Sequence, residues 1–390
     1  MLRRALVFLF AAITFFVAIP NARADLKVDL YTVGPGSQLF SRYGHSLLCV
    51  RDEADADGQC YDYGVPDRED AMHMTWASIR GEPIFIAIRI PESVAINVFR
   101  DQGRAIERQH LPLAQSEAKS LADRLEGDVA TRRAYAYHPY FANCTTQLRD
   151  RIDEQTGGRL RAGKSGPATM RFRDLAEEGL SGRAVELTTL AFILGSPSER
   201  KPSPWEAMFL PNGLRDGVAE RFSALPEHVA DHQAVVLPTS RAVGRLFLVL
   251  LAFVLFAVVR YGARGGMSSD ALSPRFRRSL FVVAAVLGTM ALVVELVAVV
   301  VVWPEFRQNW ALLFLLPTDF ALPFLRPKTI RSYARARIVM AGLAVLLEIG
   351  GVIGQPMIPL AVLIALPMAG LASALREANE ETSSVALPAR

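Results

Sequence analysis

Cys144, His45 and Asp62 have the types and spacing for covalent chemistry at a thiol. The chain of 390 residues holds three cysteines. Cys49 and Cys60 flank the polar loop Asp52-Glu53-Ala54-Asp55-Ala56-Asp57-Gly58, and Cys144 stands apart. Exported proteins tend to pair their cysteines, so a leftover thiol is either an accident or a nucleophile. In Tyr140-Phe141-Ala142-Asn143-Cys144-Thr145-Thr146, Asn143 is a good N-cap, which puts Cys144 at the first position of a helix. Leu148 and Ile152 continue that helix and Gly157-Gly158 ends it. The positive end of the helix macrodipole favours the thiolate, the species that attacks in covalent catalysis. The bland alternative is a small buried apolar thiol at a helix start. His45, in Arg42-Tyr43-Gly44-His45-Ser46, supplies the base that argues against it. His138, before Pro139, is a rival base. His73, His110, His228 and His232 have no partner pattern, and no third ligand joins His228 and His232, so no metal site is expected.

The elements that must hold these groups come next. His45 to Arg51 and Gln59 to Gly64 read as two strands of a hairpin. If Cys49 lies opposite Cys60, Leu47 faces Asp62 and His45 faces Gly64. Side chains alternate faces, so His45, Leu47, Cys49, Cys60 and Asp62 share one side. Asp62 is then diagonal to His45, with roughly 7–8 Å between their backbones. It either fixes the His45 tautomer or is a solvated strand residue. A Cys49–Cys60 disulfide is expected from loop length and compartment.

Arg3 and Arg4, the apolar run Ala5 to Ile19 and Pro20-Asn21-Ala22-Arg23-Ala24 read as a signal peptide cut after Ala24. An uncleaved anchor would leave the same orientation. Residues 25–240 read as an exported α+β domain: strands at Leu26 to Val33 and Ile84 to Ile90, a helix from Gln115 to Gly127, and a loop-rich region over about 160–240. From 241 to 376 apolar runs dominate, with about five spans at 244–260, 279–303, 309–326, 338–354 and 357–375. Arg260, Arg264, Arg275, Arg277 and Arg278, and then Arg326, Lys328, Arg331, Arg335 and Arg337, mark two cytoplasmic loops. The tail 377–390 is then cytoplasmic and the α+β domain lies outside. Glu295, Asp319 and Glu348 fall within the spans, where they either line a head-group cavity or sit nearer an interface. The net charge of +4 follows from the Arg-rich loops and gives no reason to invoke nucleic acid. Zinc spacing, a P-loop and the dinucleotide glycine pattern are absent, so no cofactor is expected.

Tyr43-Gly44-His45-Ser46 followed by Asn143-Cys144-Thr145-Thr146 resembles the circularly permuted papain-like fold, in which His precedes Cys. With Tyr61-Asp62-Tyr63-Gly64, Arg80-Gly81, Leu148-Arg149-Asp150, Leu194-Gly195-Ser196-Pro197 and Met208-Phe209-Leu210-Pro211, residues 26 to 220 resemble the Lnb N-terminal periplasmic domain family. The family's pattern implies an amide on the second strand where this chain has Asp62. The resemblance implies a bacterial inner-membrane, multi-pass lipoprotein N-acyltransferase. Cys144 would take an acyl chain from a phospholipid as a thioester, His45 would move the proton, and the N-terminal amine of a lipoprotein would accept the chain. It also implies substrate contacts at Asn143 and Tyr43. Two other readings stand beside it: a papain-like thiol hydrolase of peptidoglycan peptides, and a non-catalytic envelope assembly protein.

Overall fold

A computed structural model describes residues 25–37, 40–52, 57–68, 70–162, 168–231, 240, 242–264 and 272–385. The expected signal peptide, His232 and the last residues of the tail lie outside them. Seven strands form one antiparallel sheet in the order β6-β4-β3-β2-β1-β5-β7. They are β1 (Leu26–Val33), β2 (His45–Asp52), β3 (Gln59–Pro66), β4 (Ile84–Pro91), β5 (Ile106–Leu111), β6 (Ala134–Ala136) and β7 (Glu227–Ala230). The first four fall where the alternation of the sequence predicts them.

The period of two sorts the strand residues onto two faces. Leu30, Leu48, Val50, Tyr61 and Tyr63 bury one face beneath α3 (Gln115–Ala130) and α4 (Cys144–Gln155), against Leu121, Leu125, Leu148 and Ile152. Tyr31, Leu47, Cys49 and Cys60 bury the other against Ala95 and Ile96 of α2 (Glu92–Asp101). Leu148 and Ile152 are fully buried, and each contributes on the order of 1.5–3 kcal/mol to seating the Cys144 helix. α1 (Ala71–Arg80) follows β3 and ends at Gly81 in the left-handed conformation.

The region expected to be loop-rich is instead largely helical: α5 (Phe172–Gly179), α6 (Ala184–Ile193), α7 (Pro204–Ala207) and α8 (Pro211–Phe222). Pro204 and Pro211 stand at first helical positions, where a missing N–H costs nothing, so these prolines start helices rather than break them.

In the C-terminal half, α9 (Val243–Ala263), α10 (Pro274–Val300) and residues Ile358–Glu380 of the last helix are long and apolar enough to cross a membrane. A short α11 (Pro304–Arg307) follows α10. The expected span 309–326 is not one helix. It divides into α12 (Ala311–Phe314) and a 3-10 segment, Pro317–Phe324, because Pro317 and Pro323 interrupt the α-helical ladder. Phe320 packs on Gly288, where a Cβ would lie 2.7 Å from its ring, and Phe324 meets Phe281 edge-on at 5.6 Å. This segment therefore runs back along α10 from its Val300 end towards its Pro274 end. The expected span 338–354 falls in α13 (Pro327–Ile349), which starts earlier, and α14 (Ile358–Val385) carries on through most of the expected tail.

One end of the helical half is bonded to the exported domain. Val302 N donates to Arg80 O at 2.9 Å, and Gly195 N donates to Glu305 O at 2.6 Å. Asn309 Nδ2 donates to Phe192 O and Ile193 O, and Gln355 Nε2 donates to Asn309 Oδ1. Gly244 lies directly against the Leu187 backbone, with no space for a Cβ.

Two of the three acids expected within the spans, Asp319 and Glu348, are engaged by protein groups. Asp319, fully buried, takes Arg337 Nε at 3.2 Å, Arg337 Nη2 at 2.8 Å and the Tyr333 hydroxyl at 2.8 Å. Glu348 Oε2 caps the start of α14 by accepting Met357 N and Ile358 N, both at 2.7 Å. Glu295 is half-buried on α10. Asp319→Ala would leave Arg337 buried and unpaired, a loss of about 3–5 kcal/mol where such pairs have been broken. The expected outcome is a marked drop in the heat-aggregation midpoint of the detergent-solubilised protein, with at least half of it recovered in Asp319→Leu/Arg337→Met.

Candidate active site

Cys49 pairs with Cys60 across β2 and β3, and the two are disulfide-bonded. This fixes the register that the hairpin argument needs. In the pairing of β3 with β4 the register shifts between Asp62 and Val65, directly after Asp62. Asp62 Oδ1 lies 2.9 Å from His45 Nε2 and accepts Gly64 N at 2.6 Å. Gly64 is required here: a Cβ would sit 2.5 Å from His45 Cε1 and 3.2 Å from Asp62 Oδ1. Gly44, at φ 85°, turns the chain into β2 with no space for a side chain beneath Val33 O. The His45 ring leans on Phe99 at 5.7 Å.

With Nε2 held by Asp62, the other ring nitrogen of His45 is left for the Cys144 thiol, whose charge the imidazole feels. Burial opposes charge on all three groups. Against it, Asp62 and then Cys144 raise the imidazole well above its ordinary value. His45 in turn lowers both the Asp62 carboxyl and the Cys144 thiol. The direction in each case is towards a thiolate–imidazolium pair backed by a carboxylate.

Cys144 is the first residue of α4, as the N-cap pattern predicts. Asn143 Oδ1 accepts Thr146 N at 2.9 Å, and Thr146 Oγ1 accepts Asn143 N at 2.8 Å. Asn143 Nδ2 donates to Pro139 O and to Phe209 O. Both amide hydrogens are thus engaged, which positions the helix start, and Asn143 also borders the cavity beside Cys144. Thr145 Oγ1 lies 3.8 Å from Cys144 Sγ and 3.2 Å from Ser46 Oγ, tying the helix to β2. Tyr43 borders the cavity beside Cys144, with its hydroxyl on Ala176 O at 3.0 Å. His138 is not the base: its Nδ1 accepts Tyr140 N at 3.1 Å, and its Nε2 faces Glu305 at 3.4 Å. His110 sits 3.0 Å from Asp29, and His73 and His228 are exposed. Among the described residues no cluster of His, Cys, Asp and Glu fits a metal.

The cavity over Cys144 holds about 160 Å³. Its walls are mostly apolar or aromatic: Tyr137, Tyr140, Leu190, Leu194, Phe209, Leu210 and Pro211 from the exported domain. Trp303, Glu305 and Phe306 complete it from the helical half. Sequence reasoning missed these three, because nothing local marks a segment that follows a span as part of a site about 160 residues back in the chain. It also missed Arg104. This guanidinium is buried, donates through Nε to Gly34 O at 2.8 Å and lies 5.0 Å over the Phe99 ring. Burial pushes it down to about 10, and the nearby Cys144 charge favours its cation. Its Nη2 has no hydrogen-bond partner among the described residues.

Residues 21–177 match the Lnb N-terminal periplasmic domain family. The match takes in His45, Asp62 and Cys144, and it ends before the Leu194 and Met208 motifs that also border the cavity. No curated protein and no solved structure matches the chain.

The thiol is expected to alkylate with iodoacetamide at pH values well below the ordinary cysteine range of about 8.5. His45→Ala removes the cation and leaves burial unopposed, so the inflection moves above that value. Gly64→Ala, which pushes the imidazole aside, moves it in the same direction. The rate of Cys144 modification followed by intact mass from pH 5 to 10 checks all three. An unchanged profile in His45→Ala would refute the ion pair.

Proposed function

We propose that this protein is a membrane-bound thiol acyltransferase, moving an acyl chain from a phospholipid through a Cys144 thioester to the N-terminal amine of a lipoprotein. The observation that carries the reading is the apolar cavity at Cys144, walled jointly by the exported domain and by residues 303–306 of the membrane half. A peptide hydrolase needs an open polar cleft and at most an anchor. A lipid-processing thiol needs an apolar chamber fixed against the bilayer. The family match at residues 21–177 supports an envelope setting.

The exported domain is read as a permuted papain-like fold, with His45 on a strand before Cys144 at a helix start. The helical half is read as five crossings, 309–326 being a broken one. That count leaves Arg260, Arg264 and the Arg-rich start of α13 on the cytoplasmic side with the C-terminus. Irregular backbone at membrane depth is tolerated where protein surrounds it, as α10 and α13 do here.

In the first half-reaction the Cys144 thiolate adds to a phospholipid ester carbonyl. The backbone N–H of Cys144, at the start of α4, would help to hold the oxyanion. His45 gives its proton to the departing lysophospholipid alkoxide. In the second, the acceptor amine attacks the thioester, neutral His45 takes a proton from the nitrogen, and the thiolate leaves. Asp62 holds the ring orientation throughout and stabilises the imidazolium.

The test is the intact mass of protein purified with lipid, before and after hydroxylamine. A fatty-acyl adduct is expected, removed by hydroxylamine and absent in Cys144→Ala and His45→Ala. No adduct in the presence of lipid would turn the assignment towards peptide hydrolysis or a non-catalytic role.

A further inference from the structure

We infer that Glu305 and the aromatic side chains around it form a subsite for a primary ammonium group beside Cys144. The inference deepens the acyl-transfer reading and rests on it for the role, though not for the binding. Glu305 is 5% exposed, borders the Cys144 cavity and comes from the membrane half. Its Oε2 is buried with no hydrogen-bond partner among the described residues. The nearest N–H, His138 Nε2 at 3.4 Å, is beyond the roughly 2.7–3.2 Å of an N–H···O hydrogen bond.

His138 does not cancel the charge. Its Nδ1 accepts Tyr140 N, so the ring is the neutral tautomer with hydrogen on Nε2. Arg200 is a cation whose charge Glu305 feels, and both of its terminal nitrogens are engaged by Glu206 at 2.8 Å. A carboxylate buried without a bonded cation is costly unless a ligand supplies one. The walls suit a cation as well: Tyr137, Tyr140, Trp303 and Phe306 border the same cavity, and π faces attract ammonium groups. The Glu305 backbone is pinned by Gly195 N, which fixes the point from which its side chain starts.

In the second half-reaction an ammonium must lose two protons. The bound ammonium gives the first to Glu305, and the free amine nitrogen then forms its bond to the thioester carbonyl carbon. The second proton passes to His45 as the C–S bond breaks, which restores the thiolate–imidazolium pair. Glu305 releases its proton to solvent with the amide product. The same ammonium chemistry occurs in an ethanolamine head group, so the test must separate the two sources.

Binding is measured on Cys144→Ala full-length protein in detergent, which cannot turn over. The probes are a synthetic S-diacylglyceryl-cysteine peptide with a free α-amine and its N-acetyl form, then phosphatidylethanolamine against phosphatidylglycerol. The free amine is expected to bind at least tenfold tighter than the acetylated peptide, with the preference lost in Glu305→Gln. A preference for phosphatidylethanolamine that vanishes in Glu305→Gln would assign the subsite to the head group. Equal binding of both members of both pairs, or a preference unchanged in Glu305→Gln, would overturn the subsite. Thermal unfolding of Glu305→Gln, matched to its parent, guards against loss of fold. On the Cys144-containing protein, the ratio of acyl-enzyme discharge to the free-amine peptide over discharge to neutral hydroxylamine should fall at least tenfold in Glu305→Gln, and an unchanged ratio would count against the subsite's role. Absence of the acyl-enzyme would count against acyl transfer and leave the binding result standing.

Discussion

The hydrogen bond between Asp62 and His45 is the constraint around which the exported domain is arranged. A buried imidazolium is expensive unless a carboxylate faces it, and a buried thiolate is expensive unless the imidazolium does. The absent Cβ of Gly64 leaves room for that contact at 2.9 Å, and Gly44, in the left-handed conformation, leads the chain into β2. The Cys49–Cys60 disulfide locks the register on which it depends. The N-cap of Asn143 then brings the thiol to the third corner, where the helix macrodipole adds about 0.3–1 kcal/mol in favour of the anion.

A second constraint comes from the junction between the halves. Asn309 reaches into the end of α6, Val302 bonds Arg80 and Gly195 bonds Glu305, so residues 300–310 act as part of the domain that precedes them. Arg173 and Glu177 reinforce the seam from the other side: Arg173 bonds the Leu190 and Leu194 carbonyls, and Glu177 takes Arg245 at 2.7 Å. The cavity is therefore assembled by the fold of the whole chain. Residues of the exported domain form most of the wall over Cys144, and Trp303, Glu305 and Phe306 complete it.

The site was legible where chemistry is encoded locally. Asn143-Cys144 is a cap pattern, and the shared face of His45 and Asp62 follows from strand alternation once Cys49 and Cys60 are paired. A cap residue and a substrate contact look alike in sequence; Asn143 has the cap bonds, bonds to Pro139 and Phe209, and a place on the cavity wall. Residues 160–240 were misread because Pro204 and Pro211 open short helices that carry no long apolar period. The segment 309–326 has the composition of a span, and composition does not report where proline breaks it. Arg104, Trp303 and Glu305 join the site through tertiary packing alone, which no local pattern announces.

The most direct measurement of the central claim follows a labelled acyl chain. The purified protein would be placed in liposomes with phospholipid carrying one isotopically labelled chain and a diacylated lipopeptide with a free amine. Mass spectrometry should find the label on the α-amine, with a matching amount of lysophospholipid and no transfer by Cys144→Ala. Label recovered only as free fatty acid, or transfer that persists without Cys144, would contradict acyl transfer through this thiol.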